Sequence, residues 1–215
     1  MKRRLLKRRD TSIAAVDQRL GLEDLVANRT MSRDIADALR AVARARRSFV
    51  VMAVPRLAGK STVMRAIVDE RPRSSPVRTV AEDGDDIDAL LASSRGGYIV
   101  IPEISRGGFA PGYIWGAPVR RIFKGVGEGV SLAVALHAPG PEEAFALICR
   151  GCGVPDADAA KISLVVYLRS LGPWQEPVRR VVETVHEIAG VREGRPVARL
   201  LFRWDEERDS FASGA

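Results

Sequence analysis

The chain has 215 residues, 46% of them hydrophobic and 28% charged, with a formal net charge of +7. That length suits one domain with a small appendage, and the apolar content excludes disorder for the bulk of the chain. No apolar run approaches the roughly 20 residues that cross a bilayer, no signal-peptide pattern opens the chain, and two cysteines make no disulfide framework. A cytosolic protein is expected.

Residues 1–12 form a basic arm, with Lys2, Arg3, Arg4, Lys7, Arg8 and Arg9 crowded together. Such a block suits an anionic membrane surface or nucleic acid, and equally a solvated terminal arm. Residues 13–47 are a helical lead-in: short stretches at Ser12–Leu20 and Leu22–Ala27, then a helix over Ser32–Arg46 carrying Ile35, Leu39 and Val42 at helical spacing. Arg40, Arg44, Arg46 and Arg47 fall at its end, where cations complement the helix dipole.

The main domain is expected over 48–205, with 206–215 as a tail. Phe49 to Val54 is a continuous apolar run, the mark of a strand buried on both faces, and Pro55 ends it. A helix over 61–70, a short strand at 77–80 and a helix over 85–94 follow. Tyr98 to Ile101 is a second buried strand, 113–124 a helix, 130–136 a strand, 141–150 a helix and 162–168 a strand. Val178–Ile188 and Val197–Trp204 flank Gly190–Gly194 as an antiparallel hairpin. Strands alternating with helices predict an α/β fold with a mainly parallel sheet, closed by that hairpin.

Ala58-Gly59-Lys60-Ser61-Thr62 lies between the first buried strand and the helix after it. A phosphate loop needs N–H groups converging at a helix N-terminus, a lysine for the outer phosphates and a hydroxyl for Mg2+. Gly59, Lys60 and Ser61 supply those types in that order. In the full G-x-x-x-x-G-K-[ST] pattern the first glycine would fall at position 54, where this chain has Val54, and Pro55 has no N–H to offer. The pattern is degenerate, with ATP and Mg2+ as the ligands expected of it. Ala58 to Thr62 are the candidate binding residues and Ser61 the candidate metal ligand.

Tyr98 to Glu103 is an apolar strand ending in a carboxylate, and Glu103 is the natural partner. An acid at the end of a neighbouring strand can orient water or hold the metal's waters. Alone it reads as a surface or capping residue; beside Gly59-Lys60-Ser61 it reads as functional. Cys149 and Cys152 have zinc or redox spacing but no second pair, so they read as incidental. Asp83, Asp85 and Asp86 serve Mg2+ or cap the next helix equally well. His186 sits in the hairpin as a packed or exposed residue.

Several segments, in order over about 20–205, resemble the type II/IV secretion-system traffic ATPases, especially the branch that powers tight-adherence pili and conjugation. Gly21-Leu22-Glu23-Asp24-Leu25-Val26 and Thr30-Met31-Ser32 resemble that family's linker lead-in. Ile99-Val100-Ile101-Pro102-Glu103-Ile104 is similar to its Walker B strand. Gly127-Glu128-Gly129-Val130-Ser131-Leu132 with Ala135-Leu136-His137-Ala138 resembles its histidine box, followed by Pro141-Glu142-Glu143-Ala144. Val181 to Ile188 and Leu201-Phe202-Arg203 resemble its closing hairpin.

The resemblance implies a P-loop NTPase (RecA-like) three-layer αβα fold. It implies Glu103 as catalytic acid and His137 as a contact to the γ-phosphate. It also implies a homo-oligomer, or a hetero-oligomer with a motor ATPase, on an inner-membrane secretion or pilus platform protein. The departures are clear. Only about 45 residues precede the first strand, so the chain reads as a short member without the family's N-terminal domain. The Asp box is represented at best by residues 81–86, and Arg106 stands one place later than the family's arginine. Two alternatives stay open: a catalytically degenerate scaffold or regulatory paralogue that binds the true motor, and a basic nucleic-acid-binding protein.

Overall fold

The computed structural model describes residues 19–54, 58–81, 86–106, 112–127, 129–173 and 176–214. The basic arm, Pro55, the stretch Glu82–Asp85 and the stretch expected as a helix at 12–18 lie outside the described residues.

Two helices open the fold, α1 (Leu22–Ala27) and α2 (Arg33–Arg44). The Gly21 N–H donates to the Asp24 carboxylate (2.8 Å) at the start of α1, and Ser32 Oγ accepts from the Ile35 N–H (3.3 Å) at the start of α2. Both capture donors that a helix start would otherwise leave open. Arg40, only 16% exposed, reaches Glu23 (2.7 Å) and Glu70 (3.1 Å), tying α1, α2 and the helix after the first strand together. The basic cluster at this helix end is structural: Arg46 donates to the Gly96 carbonyl (3.3 Å) and Arg47 lies 3.8 Å from Glu187.

The sheet strands are β1 (Ser48–Ala53), β2 (Val77–Thr79), β3 (Tyr98–Ile104), β4 (Tyr113–Ile114), β5 (Ser131–Leu136), β6 (Ile162–Leu171), β7 (Arg179–Arg192), β8 (Arg195–Asp205) and β9 (Ser210–Ser213). Their order is β2-β3-β5-β1-β6-β7-β8-β9, with β4 paired to β3. β1 to β6 pair in parallel and β7 to β9 antiparallel. The helices are α3 (Lys60–Asp69), α4 (Ile87–Ser93), α5 (Ala117–Gly125), α6 (Pro141–Phe145) and α7 (Asp156–Ala159).

Every residue of β1 is buried. Alternate side chains serve opposite layers: Phe49, Val51 and Ala53 pack with α1–α3, while Val50 and Met52 pack with the layer of α5 and α6. This is why the run reads as continuously apolar rather than alternating. Each fully buried aliphatic or aromatic side chain there contributes about 1.5–3 kcal/mol.

Glu103 lies at the carboxyl end of β3, the place expected for that strand's closing carboxylate, and pairs there with Tyr113 of β4. Three expectations need correction. The stretch expected as a helix from 113 begins as β4; α5 starts only at Ala117, where Pro118 suits a helix's first turn and lacks the N–H that the first turn would leave unpaired. The helix expected over 141–150 changes to a π-helical turn over Ala146–Gly151. Trp115 packs on that turn so closely that a Cβ on Gly151 would lie 2.7 Å from its ring. Finally, β9 occupies the expected tail and pairs Phe211 with Trp204.

Candidate functional site

β1, β3, β5 and β6 run in parallel, so their carboxyl ends open on one side of the sheet. A cavity of about 820 Å3 lies there, lined by Ala58, Gly59, Lys60, Ser61 and Thr62 together with Glu103 and His137. All seven residues picked from the sequence thus meet in one place. The volume is within the range of small-molecule and cofactor sites.

Gly59 begins α3 in the left-handed region (φ 90°), and no side chain caps the helix. The first-turn N–H groups of α3 therefore face the cavity end uncapped, an arrangement that favours anions. Lys60 follows, buried to 8% exposure, while Ser61 is exposed and Ala58 buried.

Lys60 Nζ lies 3.3 Å from Glu103 Oε2 and 3.0 Å from His137 Nε2. His137, just past β5, also places Nδ1 3.1 Å from the Ala53 carbonyl at the end of β1. A carbonyl can only accept, so a proton on Nδ1 satisfies the Ala53 contact, while Lys60 Nζ lies against both ring nitrogens, 3.0 Å from Nε2 and 3.4 Å from Nδ1. Glu103 is 3% exposed, and its Oε1 is buried with no hydrogen-bond partner among the described residues. A buried acceptor without a donor is costly, and a bound ligand or its water would relieve it.

Glu103 reaches the cavity because of a bulge. Ile101 pairs with Val134 and Ile104 with Leu136, so β3 carries one residue more than β5 across this interval. Bulges re-aim side chains, and this one accommodates Pro102, which has no N–H for the ladder. Ser61, Lys60, Glu103 and the uncapped helix are the donor and acceptor types that a nucleotide phosphate with Mg2+ requires.

The remaining candidates sit elsewhere. Arg106 stacks on Trp115, 5.0 Å from the ring centroid, away from the cavity wall. Asp86 caps α4, accepting from Asp88 and Ala89 N–H groups at 3.1 Å. Cys149 and Cys152 are buried free thiols, and burial pushes Cys149 up to about 11, so neither is a ready nucleophile. Among the described residues no cluster of three or more His, Cys, Asp or Glu is set to hold a metal ion. His186 is packed within β7, its pKa lowered by burial. No helix among the described residues is long and apolar enough to cross a membrane.

Sequence reasoning missed other parts of the wall, among them Leu25 of α1, Asn28 and Thr30 from the turn after it, and Arg179 and Arg180 from β7. The available signal was topological. A strand antiparallel to its parallel neighbour begins where that neighbour ends, so the start of β7 belongs at the cavity.

No protein-family model matches the sequence, and no curated protein matches it. Solved structures do. The VirB11 ATPase from the Brucella suis type IV secretion system, solved in complex with sulphate, is similar at 18% identity with a TM-score of 0.51, over 82% of this chain and 59% of that one. The Legionella pneumophila ATPase DotB is similar at 14% identity with a TM-score of 0.49, over 85% of this chain and 51% of that one. This chain thus spans between half and three-fifths of the length of the structures it resembles. The likeness to VirB11 is one of fold: an α/β sheet, mostly parallel, extended in this chain by antiparallel C-terminal strands.

Proposed function

We propose that the chain binds ATP with Mg2+ in this cavity and hydrolyses it as a motor-type subunit of a secretion or pilus assembly system. The observation that carries the proposal is the meeting of Lys60, Glu103 and His137 at the uncapped start of α3. Ser61 would hold the metal through its hydroxyl, and ATP supplies the transferable phosphoryl group. Glu103, through Oε1, orients the attacking water. Lys60 turns from Glu103 and His137 to the outer phosphates, and His137 Nε2 is then free to accept from the same water. In this reading the chain works as a homo-oligomer, or beside a motor ATPase, on an inner-membrane platform protein. Residues 2–9 add an anionic-surface contact.

A second reading is favoured by Val54 and Pro55, which stand where the loop pattern needs a glycine and an N–H. It is a scaffold or regulatory paralogue with a site too weak to turn over. Phosphate release measured on the wild type and on Glu103→Gln separates the two. The motor reading expects turnover that Glu103→Gln abolishes while ATP binding persists. Turnover unchanged by Glu103→Gln, or none from the assembled protein, overturns it.

A further inference from the structure

We propose that Arg180 is a phosphate-binding residue of the same cavity, a cation supplied by β7 to the polyphosphate tail of a nucleoside di- or triphosphate. The inference rests on the nucleotide reading and adds to it a residue outside every motif of the sequence.

The geometry begins at Gly59. A Cβ built there would lie 2.9 Å from Arg180 Cδ and 3.7 Å from its Nε, so the arginine lies directly against the loop glycine that opens α3. Arg180 lines the cavity together with Lys60 and Ser61. Its strand is anchored where it enters the site. The neighbouring Arg179 makes two hydrogen bonds to Asp209 (2.9 and 2.6 Å) and stacks 5.8 Å from the Trp204 ring. Two residues on, the Val182 N–H donates to the Thr30 carbonyl (2.7 Å) in the turn that also lines the cavity. Arg180 therefore projects from a segment held on both sides, as a preorganised contact requires.

Charge gives the reason. Val54 and Pro55 remove the backbone freedom and one donor that the loop normally offers a phosphate. A guanidinium at Gly59 supplies charge-assisted donors at that place, in a fork that matches phosphate oxygens.

The test is equilibrium titration of the full chain with ATP·Mg2+ and, separately, with adenosine. The proteins are the wild type, Arg180→Gln, which removes the charge but keeps a side chain of three carbons beside Gly59, and Arg180→Lys, which keeps the charge. Arg180→Gln is expected to weaken ATP about tenfold or more, leave adenosine unchanged and be partly rescued by Arg180→Lys. ATP bound equally by the wild type and Arg180→Gln overturns the role of Arg180 alone. Equal weakening of ATP and adenosine makes Arg180 a packing residue and also overturns it. A wild type that binds no ATP overturns the nucleotide reading, and this inference with it.

Discussion

Lys60 and Glu103 form an ion pair at 3.3 Å whose side chains are 9% and 5% exposed. Removing one partner leaves the other charge buried and uncompensated, which costs about 3–5 kcal/mol, whereas removing both charges together avoids that penalty. Lys60→Met alone is therefore expected to lower the urea midpoint strongly. The double variant Lys60→Met/Glu103→Gln recovers most of the loss. A single variant as stable as the wild type would show that the pair is not closed in solution.

His137 is expected to carry its proton on Nδ1 when neutral, since Ala53 offers that nitrogen only an acceptor at 3.1 Å. The ring 15N shifts report the tautomer directly. His137→Ala should lower turnover more than it lowers ATP affinity.

Gly59→Ala places a side chain at φ 90° and drives it into Arg180. The left-handed conformation alone costs about 1–2 kcal/mol. Chemical denaturation should show at least that loss. Because the substitution also displaces Arg180, ATP affinity should fall further than the same change in stability at a remote site would produce.

Asp209 gives the fold an acid-sensitive contact. Hydrogen bonds from Arg179 and then from the Trp204 indole, with Arg29 alongside, hold its carboxyl down at about 2 against an ordinary 3.8. The folded pKa is depressed, so the stabilisation is complete above 3.8 and is lost as pH falls from there towards about 2. Asp209→Asn should flatten the acid limb of stability in that interval. Added salt should shrink the difference, because the group is partly exposed.

Much of this was legible in the chain itself. The buried strands β1, β3 and β5 declared themselves as apolar runs, and Gly59-Lys60-Ser61 and Glu103 were visible as a loop and its acid. What escaped depends on contacts distant in sequence. β4 pairs with the end of β3 where a helix start is expected, and β9 pairs along the edge that β8 offers. Arg180 has no local signature. It reaches Gly59 through the pairing of β1 with β6 and of β6 with β7, which no window of neighbouring residues encodes.

The Val54→Gly/Pro55→Ala variant restores the loop pattern and should bind ATP·Mg2+ more tightly than the wild type, by about tenfold for each donor regained. Competitive titration of the two proteins reads the difference. Equal affinities would mean that this loop does not meet the phosphates.

Binding of a nucleotide's phosphates at Lys60 is tested most directly by calorimetric titration of ATP·Mg2+ into the wild type and into Lys60→Met/Glu103→Gln, the variant expected to keep the fold. Saturable binding by the wild type and none by the variant is expected. ATP binding of equal strength in both proteins would place the ligand elsewhere and contradict binding at Lys60.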